Sequence, residues 1–206
     1  MKIKEIKILR SVLSKEIGRT WPVFLLKCMI KNRSIFNKTH WVGKKNDEVK
    51  FVKRFSLASA IYLELQNRFD KNKAFEIISK MLVPIGCDEQ WNHLKSLNLG
   101  SKTPMEKLIA FNDLMDEKGT PKFNKREHIR QDENIRHFVI KRCVFKDFFT
   151  EAGTPKLTKL FCEVDREFFP KAFPELKFHR NGLWENTIAY GKDHCEFVFG
   201  GNENVG

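Results

Sequence analysis

Three cysteines in the last third of the chain, Cys143, Cys162 and Cys195, offer the richest chemistry in the sequence. Cys162 stands three residues before Asp165, and in a helix residues at i and i+3 share one face, with their Cβ atoms about 5–6 Å apart. A carboxylate beside a thiol can take a proton from an attacking water, and a thiolate is a nucleophile or a soft metal ligand. The spacing therefore predicts that Cys162 and Asp165 act on one bound group.

These cysteines are expected to be reduced thiols. The chain has five cysteines, an odd number, and its charged start is followed by neither an uninterrupted apolar segment nor a small-residue cleavage site. We therefore expect no signal peptide, a cytoplasmic location and no disulfides. The three C-terminal cysteines have Phe145, Phe161 and Phe197 as neighbours, so inert packing in a core is the competing interpretation.

Three short segments that contain these cysteines occur in a recognisable order. They are Cys143-Val-Phe, then Phe161-Cys-Glu-Val-Asp165, then Thr187-Ile-Ala-Tyr-Gly-Lys-Asp-His-Cys-Glu-Phe197. As an ordered set they resemble the L-2-amino-thiazoline-4-carboxylic acid hydrolase family, over about residues 134–200. The resemblance implies a cysteine-dependent hydrolase that opens a thiazoline ring bearing an amino group and a carboxylate, and releases a carbamoylated cysteine.

The resemblance also implies roles for residues near the motifs. The ring carbon between sulfur and nitrogen is electrophilic, and we expect an activated water or a thiolate of Cys162 or Cys195 to attack it. Asp165 or His194 would move the protons, with Cys143 completing the catalytic set. No cofactor is required in this interpretation.

The small-molecule substrate needs a binding surface beside these groups. Arg180 or His179 is expected to hold its carboxylate through charge-assisted hydrogen bonds. Trp184 lies between Arg180 and Thr187 in the sequence, where a substrate ring would stack, and Thr187 is also an expected substrate-binding residue.

A second interpretation uses Cys143, Cys162 and Cys195 as metal ligands. Three thiolates leave one coordination position open on a single metal ion or an iron–sulfur cluster, as catalytic sites do, and such a domain would bind a small ligand or serve a partner enzyme. The spacings lack any Cys-x-x-Cys pair. His194 would point away from Cys195 in an extended segment, which argues against both residues ligating one ion.

The elements that must position these side chains follow from periodicity. Branched and aromatic residues over Ile135–Phe145 predict a strand. Helices are predicted over Lys146–Glu151 and Pro155–Phe169, and strands over Trp184–Tyr190 and Glu196–Phe199, joined at the turn Gly191-Lys-Asp193.

Residues before the first predicted strand have helical periodicity. Thr103, Pro104 and Glu106 have the spacing of a helix start with a reciprocal cap, and the polar segment 32–47 is typical of a loop. Helices are predicted over Ile3–Lys15, Pro22–Met29, Val49–Phe69, Ala74–Leu82 and Thr103–Glu117.

The predicted fold is α+β, with an N-terminal helical region packed on a small mixed or antiparallel sheet with two helices. We expect a basic helical region over 1–120, a connector over 121–133, the thiol-containing domain over 134–200 and a tail over 201–206.

Positive charge is concentrated before the predicted sheet. Residues 1–133 contain 27 Lys and Arg against 16 Asp and Glu, and residues 134–206 contain 11 against 10. An acidic protein partner at the basic helices is one interpretation, and a solvated Lys-rich surface is the other. No nucleic-acid-binding signature occurs, so nucleic acid is not an expected partner. The most apolar run, Trp21–Ile30, is ten residues long and includes Lys27, too short to span a membrane.

Overall fold

The computed structural model describes residues 3–44 and 46–201. Its helices and strands alternate only in the second half of the chain. The helices are α1 (Ile3–Ile17), α2 (Trp21–Phe36), α3 (Asp47–Lys53), α4 (Ser56–Gln66), α5 (Lys71–Lys95), α6 (Pro104–Lys118), α7 (Val144–Glu151) and α8 (Thr158–Ala172); the strands are β1 (Lys125–Gln131), β2 (Ile135–Arg142), β3 (Leu176–His179) and β4 (Cys195–Gly201).

The four strands form one sheet in the order β1-β2-β4-β3. Every neighbouring pair is antiparallel. This confirms the predicted α+β class and makes the sheet antiparallel rather than mixed. None of the described helices has both the length and the apolar character needed to cross a bilayer.

The chain divides into two compact units, each built from two stretches of sequence. Unit 1 contains residues 1–86 and 147–161, and unit 2 contains residues 87–146 and 162–206. The three unit boundaries fall inside α5, α7 and α8. The domain limits expected from the sequence describe another division, and they stay a prediction.

Unit 1 is an all-helical core. Leu13 of α1, Phe24 of α2 and Leu65 of α4 are almost completely buried. At the contact between α2 and α4, the buried carboxylate of Glu64 accepts hydrogen bonds from Lys27 at 2.5 Å and from Lys31. These charged bonds hold the pKa of Glu64 at about 2 although burial opposes them.

Unit 2 contains the sheet and the helices that cover one of its faces. Phe138, Ile140, Cys195 and Phe199 from β2 and β4 pack in one cluster with Phe168 and other residues of α6 and α8. Alternate residues of a strand point to opposite faces, so His137 and Glu196 lie on the other face. All the residues predicted to do chemistry belong to unit 2.

The predicted start of α6 is confirmed in detail. The Thr103 side chain accepts a hydrogen bond from the Glu106 N–H, the Glu106 carboxylate accepts one from the Thr103 N–H, and Pro104 is in the first turn. The prediction succeeded because this signal is local to four residues.

Two helix predictions and one loop prediction need correction. The expected helix Val49–Phe69 is two helices, α3 and α4, with a break at Arg54 and Phe55. The expected helix Ala74–Leu82 is part of the 25-residue α5, which continues through Pro84. The expected loop 32–47 begins later, because α2 runs to Phe36.

Strands β2 and β4 were predicted, but β2 ends at Arg142 rather than Phe145, because α7 begins at Val144. The third strand prediction was wrong. Trp184–Tyr190 is not a strand but a bend followed by a short 3-10 turn over Ile188–Tyr190. Strands β1 and β3 were not expected; β1 lies within the predicted connector. The predicted tail, apart from Gly201 in β4, lies outside the described residues.

Candidate functional site

The three C-terminal cysteines occupy the ends or faces of three elements of unit 2. Cys143 lies between β2 and α7, Cys162 in α8, and Cys195 at the first position of β4. All five cysteines of the chain are free thiols. The pKa of the Cys143 thiol is raised by burial and further by the nearby Cys195 and Cys162, so the three are close enough to interact electrostatically. We call these three residues the thiol cluster.

Two of these thiols are held by the segment between β3 and β4. Cys162 donates to the Thr187 hydroxyl at 3.8 Å, and Cys195 accepts from the Ile188 N–H at 3.2 Å. Burial raises the pKa of Cys162 to about 12, against the opposing charge of Arg180, and burial also raises the pKa of Cys195. Burial therefore favours the protonated form of both thiols.

Asp165 forms a partly buried ion pair with Arg180. The Arg180 Nη2 donates to the Asp165 Oδ2 at 2.8 Å, and its Nη1 donates to the Glu196 carbonyl at 3.0 Å. The Arg180 side chain is 1% exposed and the Asp165 side chain 20%. Burial raises the pKa of Asp165 to about 6, Arg180 opposes the shift and Glu163 adds to it. This carboxyl can exchange protons near neutral pH.

The guanidinium of Arg180 is packed among aromatic rings. It lies 3.8 Å from the centre of the Phe197 ring and 4.9 Å from that of Trp184. Its Nε has no hydrogen-bond partner among the described residues. Because both of its terminal nitrogens are engaged, Arg180 orients Asp165 in this structure, whereas the sequence suggested that it holds a substrate carboxylate.

Two charged residues missed by the sequence analysis lie at the exposed side of this pair. Trp184 donates to Glu163 at 3.3 Å, and the guanidinium of Arg166 lies 5.3 Å from the Trp184 ring centre. Glu163 and Arg166 are themselves an i, i+3 pair at 3.7 Å. That spacing around Asp165 was a signal available in the sequence.

The two predicted histidines make hydrogen bonds to residues outside the thiol cluster. His194 is bonded to Glu196 at 2.9 Å, and Glu196 is also bonded to His137 at 2.5 Å. Glu196 follows Cys195 in β4 and so faces the opposite side of the sheet. His179 is next to Arg180, but its Nδ1 accepts from the Asn181 N–H at 3.1 Å, and burial, then Lys177 and His137, lower its pKa.

The described residues do not fit a metal ion or an iron–sulfur cluster. Among 3–44 and 46–201, no group of three or more His, Cys, Asp or Glu side chains has an arrangement that could hold a metal. The Thr187 and Ile188 contacts also engage two of the three thiols that would have to be ligands. No step is derived through a metal.

An open groove of about 670 Å³ lies elsewhere in unit 2. It is formed at the start of α6, the turn between β1 and β2, and the residues before β3, and none of the predicted site residues lines it. Its lining is Thr103, Pro104, Met105, Glu106, Ile109, Gln131, Asp132, Glu133, Asn134, Glu175 and Leu176.

The fold and the site define a class: an α+β protein in which reduced thiols lie within electrostatic reach of a carboxyl with raised pKa. The chain belongs to the L-2-amino-thiazoline-4-carboxylic acid hydrolase family, whose model matches residues 49–199. The match confirms the resemblance in the motifs and extends it to the helices from α3 onward.

Other comparisons add little. No curated protein matches the chain. Two crystal structures of an Fe(II) unliganded H-NOX protein from K. algicida, one of them a point mutant, are similar to it at 10% and 11% identity. Each has a TM-score of 0.35; the matches cover 100% of this chain and 99% and 98% of theirs. A likeness this distant carries no argument.

Proposed function

We propose that this chain is a hydrolase that opens the ring of a 2-amino-thiazoline-carboxylate, with Asp165 as the group that moves protons. The observation that carries the proposal is the environment of Asp165, whose pKa is raised to about 6 by burial. It is fixed by Arg180 and lies within electrostatic reach of Cys162 and Cys195. A general base works best when its pKa lies near the operating pH.

The reaction needs two proton transfers and no oxidant. Water attacks the ring carbon between sulfur and nitrogen while Asp165 takes a proton from the water and passes it to the ring nitrogen. The carbon–sulfur bond of the tetrahedral intermediate then breaks, and the electron pair of that bond leaves with the sulfur. Asp165 takes the remaining hydroxyl proton, which forms the carbonyl, and delivers it to the departing sulfur. The product is a carbamoylated cysteine.

The raised thiol pKa values favour attack by water over attack by a resting thiolate. With a pKa of about 12, the Cys162 thiol has almost no thiolate form at neutral pH, so it offers no resting nucleophile. We assign Cys162 and Cys195 to the wall of the site, where they shape the space for the ring. Turnover therefore depends on these cysteines through packing.

The substrate carboxylate is assigned to Arg166. Arg180 has both terminal nitrogens engaged, whereas the Arg166 side chain is 60% exposed and has only a loose contact of 3.7 Å with Glu163. Trp184 lies beside both guanidinium groups and offers a face for the ring.

The test is turnover of 2-amino-thiazoline-4-carboxylate by the full chain. Asp165→Asn is expected to lower kcat by about 10²–10⁴-fold, the range that general acid–base groups contribute. Asp193→Asn, at an exposed turn position, is the matched control and should keep the wild-type rate. Thermal unfolding of both variants separates loss of chemistry from loss of fold.

Two results would count against this function. Absence of wild-type turnover would favour a non-catalytic small-ligand domain, and full activity of a folded Asp165→Asn protein would remove Asp165 from the mechanism. A covalent adduct on Cys162, detected by mass spectrometry of the reacting enzyme, would replace water attack by thiol attack.

A further inference from the structure

Helix α2 has an apolar face that is open to solvent. Val23, Leu26, Met29 and Ile30 are 71%, 59%, 57% and 71% exposed. Leu26 and Ile30 are one turn apart, and Val23 and Met29 flank them on the same side of the helix. We call these four residues the α2 stripe.

The opposite face of α2 is already the part that packs in unit 1. Phe24, Cys28, Ile35 and Phe36 are buried, so α2 is apolar on both sides. A helix that is apolar all round is normally buried all round. Four large aliphatic side chains in one patch also differ from the single exposed apolar residues that are common on surfaces. We therefore expect the α2 stripe to be buried against another surface.

The charge of unit 1 indicates what kind of partner buries the α2 stripe. Unit 1 contains 21 Lys and Arg against 9 Asp and Glu, whereas unit 2 contains 17 of each. The whole excess of +12 therefore belongs to the unit that carries the stripe. Arg33, also exposed, continues the stripe one turn beyond Met29. A second copy of this chain would bring two strongly positive units together, so the charge favours an anionic partner.

The composition of the stripe favours a lipid surface over an acidic protein. Specific protein interfaces are centred on Trp, Tyr and Arg anchors. The α2 stripe is aliphatic, and the positive charge of unit 1 comes from many separate Lys and Arg residues, which suits a diffuse negative surface. We propose that α2 lies in the interface of a membrane with anionic headgroups, inserting the α2 stripe between them.

The experiment is cosedimentation of the full chain with vesicles of phosphatidylcholine alone and of phosphatidylcholine with phosphatidylserine. Binding is expected only with phosphatidylserine and should weaken as salt is raised. The double variant Leu26→Gln/Ile30→Gln should bind at least about tenfold more weakly, because it removes two inserted aliphatic side chains. Its thermal unfolding should be unchanged, since both positions are exposed.

The matched control is Ile129→Gln/Leu183→Gln, which replaces two aliphatic residues of unit 2 that are 54% and 70% exposed. It should bind like the wild type. The proposal is overturned if the wild type does not bind phosphatidylserine vesicles at low salt, or if both double variants bind equally. It is also overturned if the α2 variant only abolishes a dimer, which would make a second copy the partner, or only abolishes binding to a purified acidic protein.

Discussion

Asp165 and Arg180 illustrate how burial and pairing compete at a single residue. Removing a carboxylate from water disfavours its charged form, and a guanidinium 2.8 Å away favours it. Here burial is the larger effect, so the pKa of Asp165 rises to about 6. Arg180 keeps the carboxyl oriented without holding it permanently ionised, which is what a group that must take and return protons requires.

The pH dependence of turnover should report this carboxyl. In the proposed mechanism Asp165 acts as a base in its ionised form, so we expect kcat/KM to rise with pH and to level off above about 6. Asp193→Asn should keep the same profile. A profile with no change near pH 6 in the wild type would contradict the assignment of the base.

The raised pKa of Asp165 also predicts a pH dependence of stability. The contribution of Asp165 to stability should fall as pH rises, whereas turnover should increase. The folded pKa of about 6 lies above the ordinary value of 3.8, so the folded protein binds more protons than the unfolded chain between these values. The contribution of Asp165 is complete below pH 3.8 and is lost as pH rises toward 6. Urea unfolding across this range should show a smaller decrease in stability for a folded Asp165→Asn protein than for the wild type.

The sequence predicted the positions of the candidate residues better than it predicted their contacts. Cys162 and Asp165 were predicted on one helix face, and both lie in α8. The partnership of Asp165 with Arg180 was not predicted, because the two residues are joined through the packing of α8 beside β3. His194 was predicted from its place next to Cys195, whereas its hydrogen bond is to Glu196.

At the scale of elements, predictions succeeded where the signal was local. The start of α6 is specified by Thr103 and Glu106 alone. Strand β1 was missed because all but one of its residues, Arg126, are exposed, so it has no apolar alternation; it exists through pairing with β2. The segment Trp184–Tyr190 has strand-forming residues, yet its backbone turns to meet Cys195, a contact that no local pattern reveals.

The cap of α6 gives a prediction at this scale. Thr103→Ala removes the side chain that accepts the Glu106 N–H, and it should lower the free energy of unfolding by about 1 kcal/mol. Ser101→Ala, at an exposed position outside the helix, is the control and should have little effect. Urea unfolding of both variants measures the difference. Equal stability of the two would mean that the cap contributes nothing measurable to this fold.

At the scale of the whole molecule, charge is divided unequally between the two units. Unit 1 carries a net +12 and unit 2 is neutral. Like charges in one compact unit repel each other and oppose its compaction. Lys27 and Lys31 both pair with the single buried carboxylate of Glu64, so this ion pair offsets only a small part of the positive charge of unit 1.

This separation predicts that salt stabilises the two units unequally. Raising salt shortens the range of repulsion to about 8–10 Å at physiological strength and to about 3 Å at 1 M, so it should slow hydrogen exchange in α2 and α4 of unit 1. Exchange in β2 and β4 of unit 2 should change much less, because the charges there balance. The measurement is native-state hydrogen exchange by mass spectrometry at low and high sodium chloride. Sodium sulfate is unsuitable because it strengthens apolar burial everywhere. Equal slowing of exchange in both units would contradict this prediction. It would mean that salt acts by strengthening apolar burial, and that water already screens the charges of unit 1.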